Sequence, residues 1–206
     1  MNSNKIFTVL GARRSGTNYL ESLLLMNFPN EVANLNKDLK EKIFSPDRRP
    51  WLFNECGSKH ETVNFKVFKN NYLALAVIRE PISWLDARLR FHAKVFGDSA
   101  TGKLQNPEWI RELIEKEYNR FYRKVIEFNI LTLRYDDLLS KLDSTLLLVG
   151  QEFKLNCPEK FLDEANIIGP AGIIISKRAD DFKAEKINFS DHQLSVYQEC
   201  FDKNLY

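Results

Sequence analysis

With 206 residues, 44% of them hydrophobic, the chain has the length for one domain with a sizeable core. Its 30 basic and 28 acidic residues leave a formal charge of +2 and no long basic run, which gives no electrostatic footprint for nucleic acid. The three cysteines, Cys56, Cys157 and Cys200, are scattered without a C-x-x-C spacing, so the sequence implies a reducing compartment rather than a disulfide framework or a zinc site.

The N-terminal residues lack the apolar core of a signal peptide, and no apolar stretch of about 18 residues occurs, so a soluble, cytoplasmic protein without a membrane partner is expected. The first element is a strand over 6–10 (IFTVL), followed by the loop GARRSG and a helix over 16–28. Gly11 and Gly16 bound a G-x-x-x-x-G spacing, which lets the loop turn tightly and present backbone N–H groups and a helix N-terminus to an anion. Where a Walker A loop carries Lys and Ser/Thr after its second glycine, this chain has Thr17 and Asn18, and its cations come earlier, as Arg13 and Arg14. A phosphate grip is therefore expected without the usual lysine and metal-binding hydroxyl, and no metal is expected.

Residues 45–50 (SPDRRP) read as a turn-rich connection rather than a domain boundary. A strand over 73–78 closes on Arg79, Glu80 and Pro81, and a helix follows over 82–96, with proline favoured in its first turn. The polar loop 97–106 is placed to border an acceptor site. It contains GDSATGK, which fits G-x-x-x-x-G-K but follows a helix and has Leu104 where a hydroxyl would hold a metal, so it is a decoy. The helix over 107–128 repeats Ile110, Leu113, Ile114, Phe121, Val125 and Phe128 at helical spacing, a core stripe. A strand over 130–133, a helix over 136–149 with Asp136 and Asp137 at its positive end, and a helix over 190–203 complete the order. This alternation predicts an α/β fold, a doubly wound parallel sheet with flanking helices, with ligands at the strand C-termini where Gly11 and Arg79 stand. No internal repeat appears, so residues 1–206 read as a single domain.

Three segments resemble PAPS-dependent sulfotransferases, which use 3′-phosphoadenosine 5′-phosphosulfate as sulfuryl donor and release adenosine 3′,5′-bisphosphate (PAP). Arg14-Ser15-Gly16-Thr17-Asn18-Tyr19-Leu20 is similar to the family's 5′-phosphosulfate loop. Leu73 to Pro81 resembles the strand that ends in R-D-P, whose arginine binds the 3′-phosphate. Leu133-Arg134-Tyr135-Asp136-Asp137-Leu138-Leu139, followed by Leu147-Leu148-Val149-Gly150, is similar to the family's L-R-Y-E-D-L and F-L-G segments and reads as structural.

The resemblance covers about residues 5–155 and implies a P-loop NTPase-like sulfotransferase fold in a compact bacterial or viral form, unlike the membrane-anchored Golgi enzymes. It implies a donor site made of Arg13, Arg14, Ser15, Gly16, Thr17 and Asn18, with Arg79 on the 3′-phosphate. Arg178, after the apolar run 172–175, is similar to the basic element that closes over that phosphate, although Ala179 and Asp180 depart from its pattern. The family usually has a serine eight residues after the arginine, and Ala87 stands there. Ser83 and Arg88 are the nearby polar residues for that role, and both also read as ordinary helix residues.

His60, His92 and His192 are the three imidazoles, the side-chain type suited to exchanging a proton near neutral pH. Ser58-Lys59-His60-Glu61 resembles a K-H element at which sulfotransferases carry their base, so His60 is the expected base and Lys59 either a second cation at the sulfuryl group or a solvated neighbour. Glu55 and Glu61 are the fallback bases, and Cys56 reads as structural. The acceptor is expected to be a hydroxyl or amine of a small molecule or carbohydrate. Two readings from other classes stand beside this one: a P-loop kinase or NTPase using ATP and magnesium, and a non-catalytic nucleotide-binding protein that retains the fold.

Overall fold

A computed structural model describes residues 5–29, 32–34, 63–66, 73–97, 106–163, 167–168, 174–175, 187 and 189–206. The elements are β1 (Lys5–Leu10), α1 (Thr17–Asn27), β2 (Val32–Asn34), β3 (Leu73–Ile78), α2 (Pro81–Phe96), α3 (Pro107–Leu113), a π-helical segment (Ile114–Asn119) and α4 (Arg120–Glu127). They continue with β4 (Leu131–Arg134), α5 (Tyr135–Ser140), α6 (Leu142–Phe153), β5 (Ile167–Ile168), β6 (Ile174–Ile175) and α7 (Asp191–Cys200).

Four strands form one parallel sheet in the order β2-β1-β3-β4, with Leu10 opposite Ala76 and Ile78 opposite Arg134. β5 and β6 pair antiparallel in a separate ribbon. Both faces of the parallel sheet are covered, as parallel strands require. Phe7, Val9, Leu75, Val77 and Leu133 point to one face and pack with α1, α5 and α6. Leu10, Ala76 and Ile78 point to the other and pack with α2, α3, the π segment, α4 and α7. Each Leu, Val or Phe so buried contributes roughly 1.5–3 kcal/mol.

On α2, Trp84, Leu85, Leu89 and His92 make a buried stripe at helical spacing. Its start is fixed by Glu80, whose carboxylate accepts from Ile82 N and Ser83 N, and by Pro81 in the first turn. Asn106 caps α3, and Ser190 with Gln193 forms a capping box on α7.

The strand over 73–78 matches β3 residue for residue, and the core stripe on 107–128 is buried except for Phe128, which is partly covered. Two helices depart from expectation. The helix over 107–128 carries the π-helical segment in its middle. The expected helix over 136–149 is two helices broken at Lys141 (φ −137°, ψ 45°). Side-chain hydroxyls bond backbone carbonyls on both sides of the break: Ser140 Oγ donates to Asp136 O, and Ser144 Oγ and Thr145 Oγ1 join Thr145 N on Lys141 O. β2, β5 and β6, at two or three residues each, are too short to leave a periodic signal.

The chain runs from β1 outward to β2, then crosses back to β3 and on to β4 on the opposite side. The order therefore reverses between β1 and β3, and a crevice at such a switch point is where open α/β sheets bind ligands. Among the described residues no helix is long and apolar enough to cross a membrane.

Candidate anion-binding site

The loop from Gly11 to Gly16 leaves β1 at the switch point. Ser15 N donates to Ala12 O (3.1 Å), closing a turn, and Gly16 O accepts from Tyr19 N and Leu20 N as α1 begins. Arg14 (φ 72°) and Gly16 (φ 98°) are both left-handed. Gly16 adopts this without steric cost, whereas at Arg14 it costs on the order of 1–2 kcal/mol. Both ends of the loop need glycine. A Cβ on Gly16 would lie 2.3 Å from the Tyr135 ring, and one on Gly11 would lie 2.3 Å from Ser15 Oγ and 3.0 Å from Val77 O.

Three aromatic side chains on the helices of one face hold this loop and the end of β3. The Tyr122 hydroxyl accepts from Ala12 N (3.3 Å) and donates to Val77 O (2.5 Å), tying the two strand ends together. Trp84 Nε1 donates to Arg13 O (2.8 Å), and the Tyr118 hydroxyl donates to Arg79 O (2.7 Å). All three side chains are buried. Desolvation pushes the Tyr118 and Tyr122 phenols up, so both remain protonated donors at neutral pH. Tyr118 lies in the π-helical segment, a backbone departure that recurs at functional sites.

Arg79 follows β3 directly. Its Nε donates to Ser83 Oγ (3.0 Å), its guanidinium lies 5.1 Å over the Tyr135 ring, and Nη1 reaches Arg14 O at 3.5 Å, the limit of a hydrogen bond. Glu80 is not its counter-ion, because that carboxylate is spent on capping α2. The Arg14 guanidinium stacks over Phe91 at 4.9 Å. It is exposed by area, yet desolvation by the surrounding elements, and then the charges of Arg79, Arg90 and Arg88, hold its pKa below the usual guanidinium value.

The four arginines divide into two pairs. Arg88 is buried and donates from Nε and Nη2 to the two oxygens of the Glu117 carboxylate, both at 2.7 Å, and Arg90 donates from Nε (3.0 Å) and Nη2 (2.7 Å) to Asp86 Oδ2. Among the described residues, neither Arg14 nor Arg79 has an acidic partner. The first turn of α1 has no acidic residue, and it has no side-chain cap such as those on α2, α3 and α7. Ser15 is fully buried, and its Oγ is without a partner in hydrogen-bonding geometry although it lies near the Tyr122 hydroxyl. Two guanidiniums without acidic partners among the described residues, a loop with two left-handed positions and the positive end of α1 thus meet at one sheet edge, a combination suited to a multiply charged anion.

The structure brings together Arg13, Arg14, Ser15, Gly16, Thr17 and Asn18 on the loop and Arg79 on the neighbouring strand end. The Arg13 side chain is exposed and its carbonyl is held by Trp84. Ser83 is not an ordinary helix residue, since it holds Arg79. Arg88 is occupied by Glu117, and Ala87 is packed into the core. His92 is buried against Phe96 and Trp109, and His192 is exposed in the first turn of α7. His60, Lys59 and Arg178, with Glu55, Cys56 and Glu61, lie outside the described residues.

Sequence reasoning missed Trp84, Tyr118 and Tyr122. A signal for the tyrosines was present: they stand four residues apart within a buried stripe, and a buried phenol needs a partner for its hydroxyl. Compared with protein-family models, curated proteins and solved structures, the chain matches none of them.

Proposed function

We propose that this site binds the phosphosulfate and phosphate groups of PAPS, on a P-loop-like sulfotransferase fold, and that the chain transfers the sulfuryl group to an acceptor hydroxyl or amine. A sugar hydroxyl is the acceptor class proposed. The observation that carries the reading is the pair Arg14 and Arg79, without acidic partners among the described residues, on adjacent strand ends beside the loop. PAPS carries anionic groups at both ends of its ribose, and two separated cations suit such a ligand better than one.

In the proposed reaction the acceptor atom attacks sulfur in line, the bond from sulfur to the 5′-phosphate oxygen breaks, and that oxygen leaves with the electron pair as part of PAP. Arg14 and the N–H groups of the loop meet the charge that builds on the leaving phosphate, and such preorganised donors are usually the largest contribution to group transfer. Arg79 holds the 3′-phosphate. The acceptor proton passes to His60, or to Glu55 or Glu61 if the base is a carboxylate. Lys59 is assigned to the sulfuryl group and Arg178 to the 3′-phosphate on the strength of the resemblance. Guanidiniums here do the neutralising that magnesium does in kinases, so turnover is expected without added metal.

Thermal unfolding with PAP, ATP, and ATP plus magnesium, followed by turnover of labelled PAPS over an acceptor panel, tests the reading. PAP at a hundredfold excess over its Kd should stabilise the fold by about 2.7 kcal/mol. Stabilisation by ATP only with magnesium, and none by PAP, would replace this reading with a kinase or NTPase. Binding of PAP with no turnover on any acceptor would replace it with a nucleotide-binding protein.

A further inference from the structure

The loop from Gly11 to Gly16 sorts its peptide groups by direction. Ala12 O accepts from Ser15 N, Gly16 O accepts from Tyr19 N and Leu20 N, and Arg13 O accepts from Trp84 Nε1 at 2.8 Å, whereas Arg14 N, Gly16 N and Thr17 N have no acceptor among the described residues. The bond to Arg13 O comes from a fixed side chain. Trp84 is fully buried, with its ring packed against Tyr118 (4.9 Å between centroids) and Phe201 (6.1 Å). In a trans peptide the C=O and N–H bonds point opposite ways, and no peptide bond of this loop is cis. A carbonyl drawn inward onto Trp84 therefore turns the next N–H, that of Arg14, outward. The same bond holds Arg14 on its left-handed backbone (φ 72°), which a side chain disfavours. Reversing the Arg13–Arg14 peptide would leave both Cα atoms and the stack of Arg14 on Phe91 in place and return Arg14 to negative φ. It would also face the anion with a carbonyl where an N–H now stands.

We propose that Trp84 is a positioning residue: its indole N–H fixes the Arg13–Arg14 peptide so that the Arg14 amide, like the Arg14 guanidinium, is presented to the anion, and without that bond the peptide turns over and repels the anion. This rests on the reading above for the identity of the anion, the 5′-phosphosulfate end of PAPS, and on the loop geometry alone for the role of Trp84. Strain at Arg14 favours the reversed peptide, while the Trp84 bond holds the binding form before a ligand arrives, so the ligand does not have to supply that ordering itself.

The test is calorimetric titration of PAP, AMP and inorganic sulfate into the wild-type chain, Trp84→Phe, and a chain with Trp84 exchanged for 3-benzothienylalanine, which keeps the bicyclic ring and has sulfur in place of the indole N–H. The isostere should unfold near the wild-type temperature yet bind all three ligands more weakly by a common factor of roughly tenfold. Its preference for PAP over AMP should be unchanged, because Arg79 is untouched. Trp84→Phe should lose at least as much affinity and also unfold at a lower temperature. A tryptophan that acts by packing alone gives the opposite split, with the isostere binding as the wild-type chain does and only Trp84→Phe impaired. That result, or a loss confined to PAP, overturns the assignment of Trp84. If the wild-type chain binds sulfate and not PAP, the PAPS reading fails and the sulfate titrations still decide the role of Trp84; a wild-type chain that binds none of the three overturns both.

Discussion

Arg14 and Arg79 lie on adjacent strand ends, and their surroundings assign them different tasks. Arg79 is held by Ser83, Tyr118 and the Tyr135 ring before any ligand arrives, which suits a group that binds. Arg79→Ala should weaken PAP much more than adenosine 5′-phosphosulfate, which lacks the 3′-phosphate, by about 1.5–3 kcal/mol for a lost charge-assisted bond. Competition of the two ligands on the same protein measures this, and equal weakening of both removes Arg79 from the 3′ end. Arg14 sits on a left-handed backbone, stacked on Phe91 and in the field of three other arginines. A cation crowded by cations gains most when negative charge develops beside it. Arg14→Ala should therefore lower turnover by roughly 10²–10³-fold, with a smaller loss of PAP affinity, and a variant with normal turnover rejects the role. The residues legible in the sequence were those whose chemistry is tied to local spacing, such as Gly11, Gly16 and the arginine at a strand end. Ser83 was harder to read because its role depends on the direction of one hydroxyl, which the helical pattern does not encode.

Among the elements, α2 and the π-helical segment carry the most constraint. α2 supplies Ser83 to Arg79, Trp84 to the loop and Arg88 to Glu117, and the π segment supplies Tyr118 to the Arg79 carbonyl and Glu117 to Arg88. The Arg88–Glu117 pair is thus the ionic tie between the two elements that position the site, with side chains only 8% and 16% exposed. Breaking one half of such a pair leaves a buried charge without compensation. Glu117→Ala should destabilise the fold by about 3 kcal/mol, read as a lower urea midpoint with an unchanged slope, whereas Arg88→Met combined with Glu117→Leu should recover most of that loss. If Glu117→Ala were neutral, Arg88 would have water or another partner in the folded state. Elements with long periodic patterns were legible: β3, α2 and the stripe on α3 and α4 all stand where the pattern puts them. The π-helical segment was not, because the stripe Ile110, Leu113, Ile114, Phe121 and Val125 tolerates one extra residue in the turn without exposing an apolar side chain. The break at Lys141 was not either, because neither glycine nor proline marks it in the sequence.

At the scale of the whole molecule, the sheet order puts the loop 11–16 and Arg79 at one switch point, and the aromatic cluster of Trp84, Tyr118, Tyr122 and Phe201 stands behind them as their common support. That support is polar at its tips, and this gives the fold a predictable weakness at high pH. Tyr118 and Tyr122 are both pushed above the ordinary phenol value of 10.0, by desolvation first, so the folded state keeps their protons where the unfolded chain gives them up. For a group neutral when protonated, a raised folded pKa means stability that is complete below the unfolded pKa and falls as pH rises above it, by up to roughly 1.4 kcal/mol per pH unit for each phenol. The hydrogen bonds to Val77 O, Ala12 N and Arg79 O are also lost with the unfolding that ionisation drives. Alkaline titration should therefore show a delayed, steep rise of phenolate absorbance above pH 10 that coincides with loss of the helical circular-dichroism signal. Tyr122→Phe should remove part of the steep phase. If all phenolate absorbance developed smoothly with the helical signal intact, the hydroxyls of Tyr118 and Tyr122 would be open to solvent, and neither could hold the loop and the end of β3 in place for an anion.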